Sequence, residues 1–184
     1  MRLFAAIPAS APARDQVTRL LRELRDLRWP VRWVAEEGIH LTLKFYGEVA
    51  VERLDAIAES IGFAIRGTGP LALGLSGLGG FPSMERARVV WAAVEAPPAL
   101  ELLQDRIERH AEALGFPLEG ATFRPHITLG RVREGEHLRP EVVARLHATA
   151  LAGDFTADRV VLYESRLGER GPAYVAMHTF PLIP

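Results

Sequence analysis

Ile39-His40-Leu41-Thr42-Leu43 returns later in the chain as Pro125-His126-Ile127-Thr128-Leu129. Each copy reads histidine, apolar, threonine, apolar, and the two histidines lie 86 residues apart in a chain of 184 residues, close to half its length. Alternation with period two marks a strand with one face buried. His40 and Thr42 therefore share one face, about 6–7 Å apart along the strand, while Leu41 and Leu43 enter the core behind them. His126 and Thr128 stand in the same relation to Ile127 and Leu129. One His-x-Thr on an alternating strand is ordinary. Two in equal phase, each followed by leucine, imply two diverged halves that face each other across a pseudo-two-fold axis and line one cleft.

The rest of the chain reads outward from these strands. Met1–Pro8 is expected as a buried strand, followed by a helix on whose one face Val17, Leu20, Leu21, Leu24 and Leu27 recur at three- and four-residue spacing. Ser10 and Pro12 start that helix and Trp29-Pro30 stops it. A short strand over Val31–Val34 and a turn at Glu36-Glu37-Gly38 lead into the strand Ile39–Gly47. Helices are expected over Val51–Ile65, Pro98–Leu114 and Pro140–Thr149. Strands are expected over Leu71–Leu78 and Arg88–Val94, joined by Gly79-Gly80-Phe81-Pro82-Ser83, and over Phe123–Val132. Phe155–Ser165 and Ala173–Phe180 read as a closing antiparallel pair around Gly168–Gly171. Strands and helices mix without βαβ regularity, so the expected class is α+β with antiparallel sheets.

Composition narrows the function. The 22 Lys plus Arg residues against 23 Asp plus Glu leave a formal net charge of −1, so no global basic field draws the protein to nucleic acid. A hydrophobic content of 48% and a charged content of 24% are those of a globular chain, and the length suits one domain over residues 1–184. No cysteine is present, which excludes disulfide scaffolds, thiolate metal sites and a cysteine nucleophile. The apolar run Leu3–Ile7 is shorter than the roughly 7–15 residues of a secretory core, and no run approaches the ~18 needed to span a membrane. A cytoplasmic protein is expected.

Two imidazoles flanking two hydroxyls suit in-line displacement at phosphorus. That reaction needs a base at the entering oxygen and an acid at the leaving oxygen, and histidine, with an ordinary pKa of about 6.5, serves as either near neutral pH. Threonine hydroxyls donate to non-bridging phosphate oxygens and hold the group in line. Neither motif contains a carboxylate, and no histidine pair has zinc-ligand spacing, so no metal or cofactor is expected.

The chain resembles the two-histidine phosphoesterase superfamily, specifically the RNA 2′,3′-cyclic phosphodiesterase group, also called 2′-5′ RNA ligase. The resemblance runs over nearly the whole length, from Met1-Arg2-Leu3-Phe4-Ala5-Ala6-Ile7-Pro8 and Arg32-Trp33-Val34 through His40-Leu41-Thr42-Leu43-Lys44-Phe45-Tyr46-Gly47-Glu48-Val49. It continues in Gly79-Gly80-Phe81-Pro82-Ser83, Arg88-Val89-Val90-Trp91 and Phe123-Arg124-Pro125-His126-Ile127-Thr128-Leu129-Gly130-Arg131. Val161-Leu162-Tyr163-Glu164-Ser165 and Gly171-Pro172-Ala173-Tyr174 also fit. The resemblance implies a two-lobed α+β fold, each lobe an antiparallel sheet with outer helices and the active cleft between them. It implies hydrolysis of a terminal RNA 2′,3′-cyclic phosphate to a 2′-phosphomonoester, with 2′-5′ ligation as the weaker reverse reaction. His40 would then be the proton donor and His126 the proton acceptor, with Thr42 and Thr128 binding the phosphate. The implied partners are RNA ends carrying a 2′,3′-cyclic phosphate, tRNA fragments among them, with no membrane and a monomeric protein. Two alternatives stand beside this: an esterase for 2′-5′ oligonucleotides or small cyclic nucleotides, and a module that binds nucleotides or RNA ends without turnover.

Other residues carry weaker signals. Arg131 lies at an odd offset from His126 and would point away on a regular strand, but Gly130 permits a bulge that would turn it toward the phosphate. Lys44 keeps the phase of His40 and Thr42 and is expected to be a solvated cation near the cleft rim. Arg86 and Arg88 are exposed turn charges that would also suit RNA phosphates. Trp33, Phe45, Tyr46 and Phe81 are core aromatics or base-stacking surfaces, and Tyr174 is placed near the cleft mouth only by the resemblance. His110, His137 and His147 read as surface residues, and His178 as a structural one.

Overall fold

Apolar spacing and proline placement set the helices. The computed structural model describes residues 1–168 and 171–184. Strand β1 (Arg2–Pro8) leads into α1 (Ala11–Asp26), which has proline in its first turn and buries Ala13, Val17, Leu20, Leu21 and Leu24. Strand β2 (Val31–Trp33) and a single 3-10 turn (Glu36–Gly38) precede β3 (His40–Glu48). Helix α2 (Leu54–Ala64), strands β4 (Leu71–Phe81) and β5 (Val89–Glu95), and α3 (Pro98–Ala113) follow. The chain continues through β6 (His126–Val132), α4 (Pro140–Ala148), β7 (Ala152–Ala157), β8 (Arg159–Gly168) and β9 (Gly171–Pro181). Both α3 and α4 open on a proline, which lacks the N–H that a helix start leaves unpaired.

The described strands form one antiparallel sheet in the order β7-β4-β5-β6-β3-β1-β8-β9, with β2 attached to β6. It divides into halves, β6-β5-β4-β7 and β3-β1-β8-β9, which meet where Leu41 pairs with Ile127. That pair is the centre of the pseudo-two-fold relation expected from the repeated motif. The halves interleave in sequence, because β4 follows β3 in the chain yet pairs with β5, and β8 follows β7 yet pairs with β1. Leu41 and Ile127 are fully buried in the core cluster that the helices share with the back of the sheet. The opposite face is left for the site.

The expected class and most of the elements hold, with three differences. The expected strand Phe155–Ser165 is broken at Asp158, whose carbonyl accepts from the Leu182 N–H. Its two parts sit in opposite halves of the sheet, β7 on β4 at one edge and β8 between β1 and β9. The expected strand from Phe123 starts only at His126, since Pro125 has no N–H for a ladder. Gly79 and Gly80 belong to β4 rather than to a loop, because the Trp91 ring lies over Gly79, its registered partner, where any Cβ would meet the ring at 2.2 Å. The turn expected around Gly168–Gly171 includes residues 169 and 170, which lie outside the described residues.

Candidate active site

The pairing of Leu41 with Ile127 in an antiparallel register sets His40 across from Thr128 and Thr42 across from His126. All four side chains point to the open face, each only partly buried, while Leu41, Leu43, Ile127 and Leu129 are buried behind. The two histidines are close enough for a charge on His126 to bear on His40. The structure thus brings together the four residues that the motif singles out, in a diagonal array with one imidazole and one hydroxyl from each half.

Each ring is held by a backbone carbonyl. His126 Nδ1 lies 2.8 Å from the Arg124 carbonyl oxygen. A carbonyl only accepts, so Nδ1 carries the proton and Nε2 is the nitrogen left for chemistry. His40 bonds likewise to the Glu37 carbonyl. Burial lowers the His40 pKa to about 4, the Glu37 bond opposing the shift and His126 adding to it. Burial also lowers the His126 pKa, opposed by the Arg124 bond and assisted by the charge on Arg131. Both rings are therefore neutral at pH 7 in the free protein.

Aromatic walls surround both rings. His40 stacks on Phe4 with centroids 4.9 Å apart, Tyr163 lies 6.0 Å from it and Tyr174 meets it edge-on at 5.3 Å. His126 meets Phe81 edge-on at 5.0 Å and Trp91 at 6.0 Å. Burial raises the pKa of both Tyr163 and Tyr174, so both stay protonated hydroxyls. Phe4, Tyr163 and Trp91 were not legible as site residues. Phe4 sits in a continuous apolar run, Leu3–Ile7, where alternation cannot assign a face, and its place is set by the neighbouring strands.

Two matching β-bulges decide what flanks the array. In the β1–β3 ladder Ala5 pairs with Lys44 and Ala6 with Thr42, so β3 carries an extra residue at Leu43. In the β5–β6 ladder Val90 pairs with Gly130 and Trp91 with Thr128, so β6 carries one at Leu129. Each bulge reverses the phase after the motif. Arg131 consequently turns onto the open face beside His126, the inward option that Gly130 permits; its charge bears on His126 and Tyr174.

The same reversal corrects the expectation for Lys44. It is not a solvated rim cation but only 1% exposed on the core face. Its Nζ donates to Glu108 Oε2 at 2.7 Å and to the Pro117 carbonyl at 2.6 Å. The regular phase assumed for it ends at Thr42, and Phe45 takes the open face instead, 53% exposed.

The remaining candidates lie apart from the array. Tyr46 is buried edge-on to Phe116, and Trp33 packs over Gly130. Arg88 donates to the Glu136 carbonyl, and Arg86 is exposed. His110, His137 and His147 are on the surface, and His178 stacks on Phe180. Among the described residues no cluster of three His, Asp or Glu side chains has metal-binding geometry.

This architecture is shared with known proteins. Residues 8–169 match the family described as the 2′-5′ RNA ligase superfamily. The RNA 2′,3′-cyclic phosphodiesterase of Methanothermobacter thermautotrophicus is 32% identical over 184 residues, covering 99% of both chains. The protein of the same name from Geobacillus stearothermophilus is 31% identical over 98% of this chain, which spans 57% of that longer protein. The crystal structure of Escherichia coli LigT complexed with 3′-AMP superposes with a TM-score of 0.80 at 27% identity, covering 100% of this chain and 98% of that one.

Proposed function

The chain belongs to the 2′-5′ RNA ligase superfamily, and on that premise we propose that it is an RNA 2′,3′-cyclic phosphodiesterase whose acid–base pair is His40 and His126. The observation that carries this reading is the antiparallel Leu41–Ile127 pairing, which sets an imidazole and a hydroxyl from each half around one point on the open face. The cyclic phosphate sits at that point. Thr42, Thr128 and Arg131 donate to its non-bridging oxygens and neutralise the charge that builds up in the transition state.

His126 accepts a proton from the attacking water at Nε2, the nitrogen left free by its bond to the Arg124 carbonyl. The water oxygen bonds to phosphorus and the bond to O3′ breaks. His40 gives O3′ its proton, leaving a 3′-hydroxyl and a 2′-phosphomonoester. His40 is neutral in the free protein. The incoming phosphate anion favours the imidazolium form, so substrate binding and protonation of His40 are linked. Two imidazoles supply both proton transfers, so the reaction calls on no metal. With an RNA 5′-hydroxyl in place of water, His126 takes the proton of that hydroxyl, its oxygen bonds to phosphorus and O3′ leaves with the proton from His40, which joins the two ends in a 2′-5′ linkage, the weaker activity.

One continuous sheet with a shared core supports a single domain over residues 1–184. No described helix is long and apolar enough to cross a membrane. We place the protein in the cytoplasm as a monomer, with tRNA fragments among its substrates. The testing experiment is turnover, in excess EDTA, of an RNA oligonucleotide ending in a 2′,3′-cyclic phosphate, with the product end mapped. A 2′-phosphate is expected. A 3′-phosphate would reverse the leaving oxygen and with it the roles of the two histidines, and no turnover by folded protein would leave a binding module.

A further inference from the structure

Arg32 and Arg131 are registered partners in the β2–β6 ladder, with no irregularity between Val31–Val132 and Trp33–Gly130 on either side. Directly opposed residues of an antiparallel pair project from the same face. The bulge in β6 puts Arg131 on the open face, and Arg32 stands beside it. Both side chains are exposed, whereas Val31 and Val132, one step along the ladder, are buried.

Like charges opposed across a ladder destabilise it, and here no described carboxylate offsets them. Glu36, close by in sequence, pairs with Arg22, and Glu164 pairs with Arg166. Neither Arg32 nor Arg131 makes an ion pair among the described residues. Arg131 takes the next open-face position along β6 after Thr128, three residues on across the bulge, with Arg32 opposite it. An anion that continues outward from the reacting phosphate would meet them in turn.

We propose that Arg32 holds the phosphodiester joining the terminal nucleotide to the body of the RNA, so that the Arg32–Arg131 pair spans two successive phosphates and selects oligonucleotide over mononucleotide ends. The assignment rests on the reading above, in which the reacting phosphate sits between His40 and His126. It makes Arg32 a substrate-binding residue that the His-x-Thr motifs do not contain.

The test compares kcat/KM for an oligoribonucleotide with a 2′,3′-cyclic phosphate end against that for a nucleoside 2′,3′-cyclic phosphate, which has no second phosphate. In Arg32→Ala the oligonucleotide-to-mononucleotide ratio is expected to fall about tenfold, carried by KM, as for loss of one charge-assisted contact. The salt dependence for the oligonucleotide should become shallower by about 0.7 in the log–log slope, one phosphate contact on a single strand. Arg32→Lys keeps the charge and should keep the slope. An unchanged ratio in Arg32→Ala overturns the assignment, and so does an equal loss on both substrates, which would put Arg32 on the reacting phosphate. Wild-type protein that turns over neither substrate would instead overturn the reading of the cleft, and this assignment with it.

Discussion

The neutral state of His40 makes folding stability depend on pH in a way that one substitution should erase. Its folded pKa, about 4, lies below the ordinary value of 6.5 because burial penalises the imidazolium. Above pH 6.5 both folded and unfolded chains hold this ring neutral, and its contribution to stability is fully present. As the pH falls from 6.5 toward 4, the unfolded chain takes up a proton that the folded chain refuses, and stability is lost. The whole difference is worth at most about 3 kcal/mol, and between pH 7.5 and pH 5.0 about 2 kcal/mol of it disappears. His40→Gln removes the titration while leaving an N–H able to reach the Glu37 carbonyl. Urea unfolding of both proteins at the two pH values isolates the effect, since every other titrating group is common to both. Wild type should lose about 2 kcal/mol more than His40→Gln over this interval. Equal losses would show that His40 is not held neutral, and the linkage of its protonation to substrate binding would fail with it.

Inorganic phosphate, followed by NMR titration, should raise the pKa of both His40 and His126, since an adjacent anion favours the imidazolium; shifts downward would mean that phosphate binds elsewhere. Replacing either histidine by glutamine should cost about 10²–10⁴-fold in kcat, and Thr42→Val or Thr128→Val about 10–100-fold, measured on the cyclic-ended oligonucleotide. Lys44→Met strands Glu108 in the core and should lower stability by about 3–5 kcal/mol, whereas Lys44→Met combined with Glu108→Gln should recover most of it by denaturant unfolding. Gly79→Ala drives a methyl into the Trp91 ring beside His126. It should cost about 1–3 kcal/mol in stability and lower kcat; full activity would show that Trp91 is not needed to position His126.

The repeated His-x-Thr alternation determined, with no further information, that His40 and Thr42 share a face, that His126 and Thr128 do the same, and that leucine and isoleucine back them. Side-chain direction on a regular strand follows from covalent geometry alone, and helix faces follow as directly from the spacing of Val17, Leu20, Leu21 and Leu24. What followed Thr42 and Thr128 was not legible to the same depth. A bulge is a mismatch between two strands, so the phase of Lys44, Phe45 and Arg131 depends on β1 and β5, which lie far off in sequence. Gly130 marked a place where one bulge was allowed, but Leu43-Lys44 carried no such mark. Arg32 opposite Arg131, Phe4 beneath His40 and Trp91 beside His126 are likewise products of strand partnership. The separation of β7 from β8 has the same origin, since alternation records which face a residue takes and says nothing of the strand beside it. Hydrophobic periodicity is a local property that the chain carries with it, whereas the cleft is built from contacts between segments that only the folded sheet brings together.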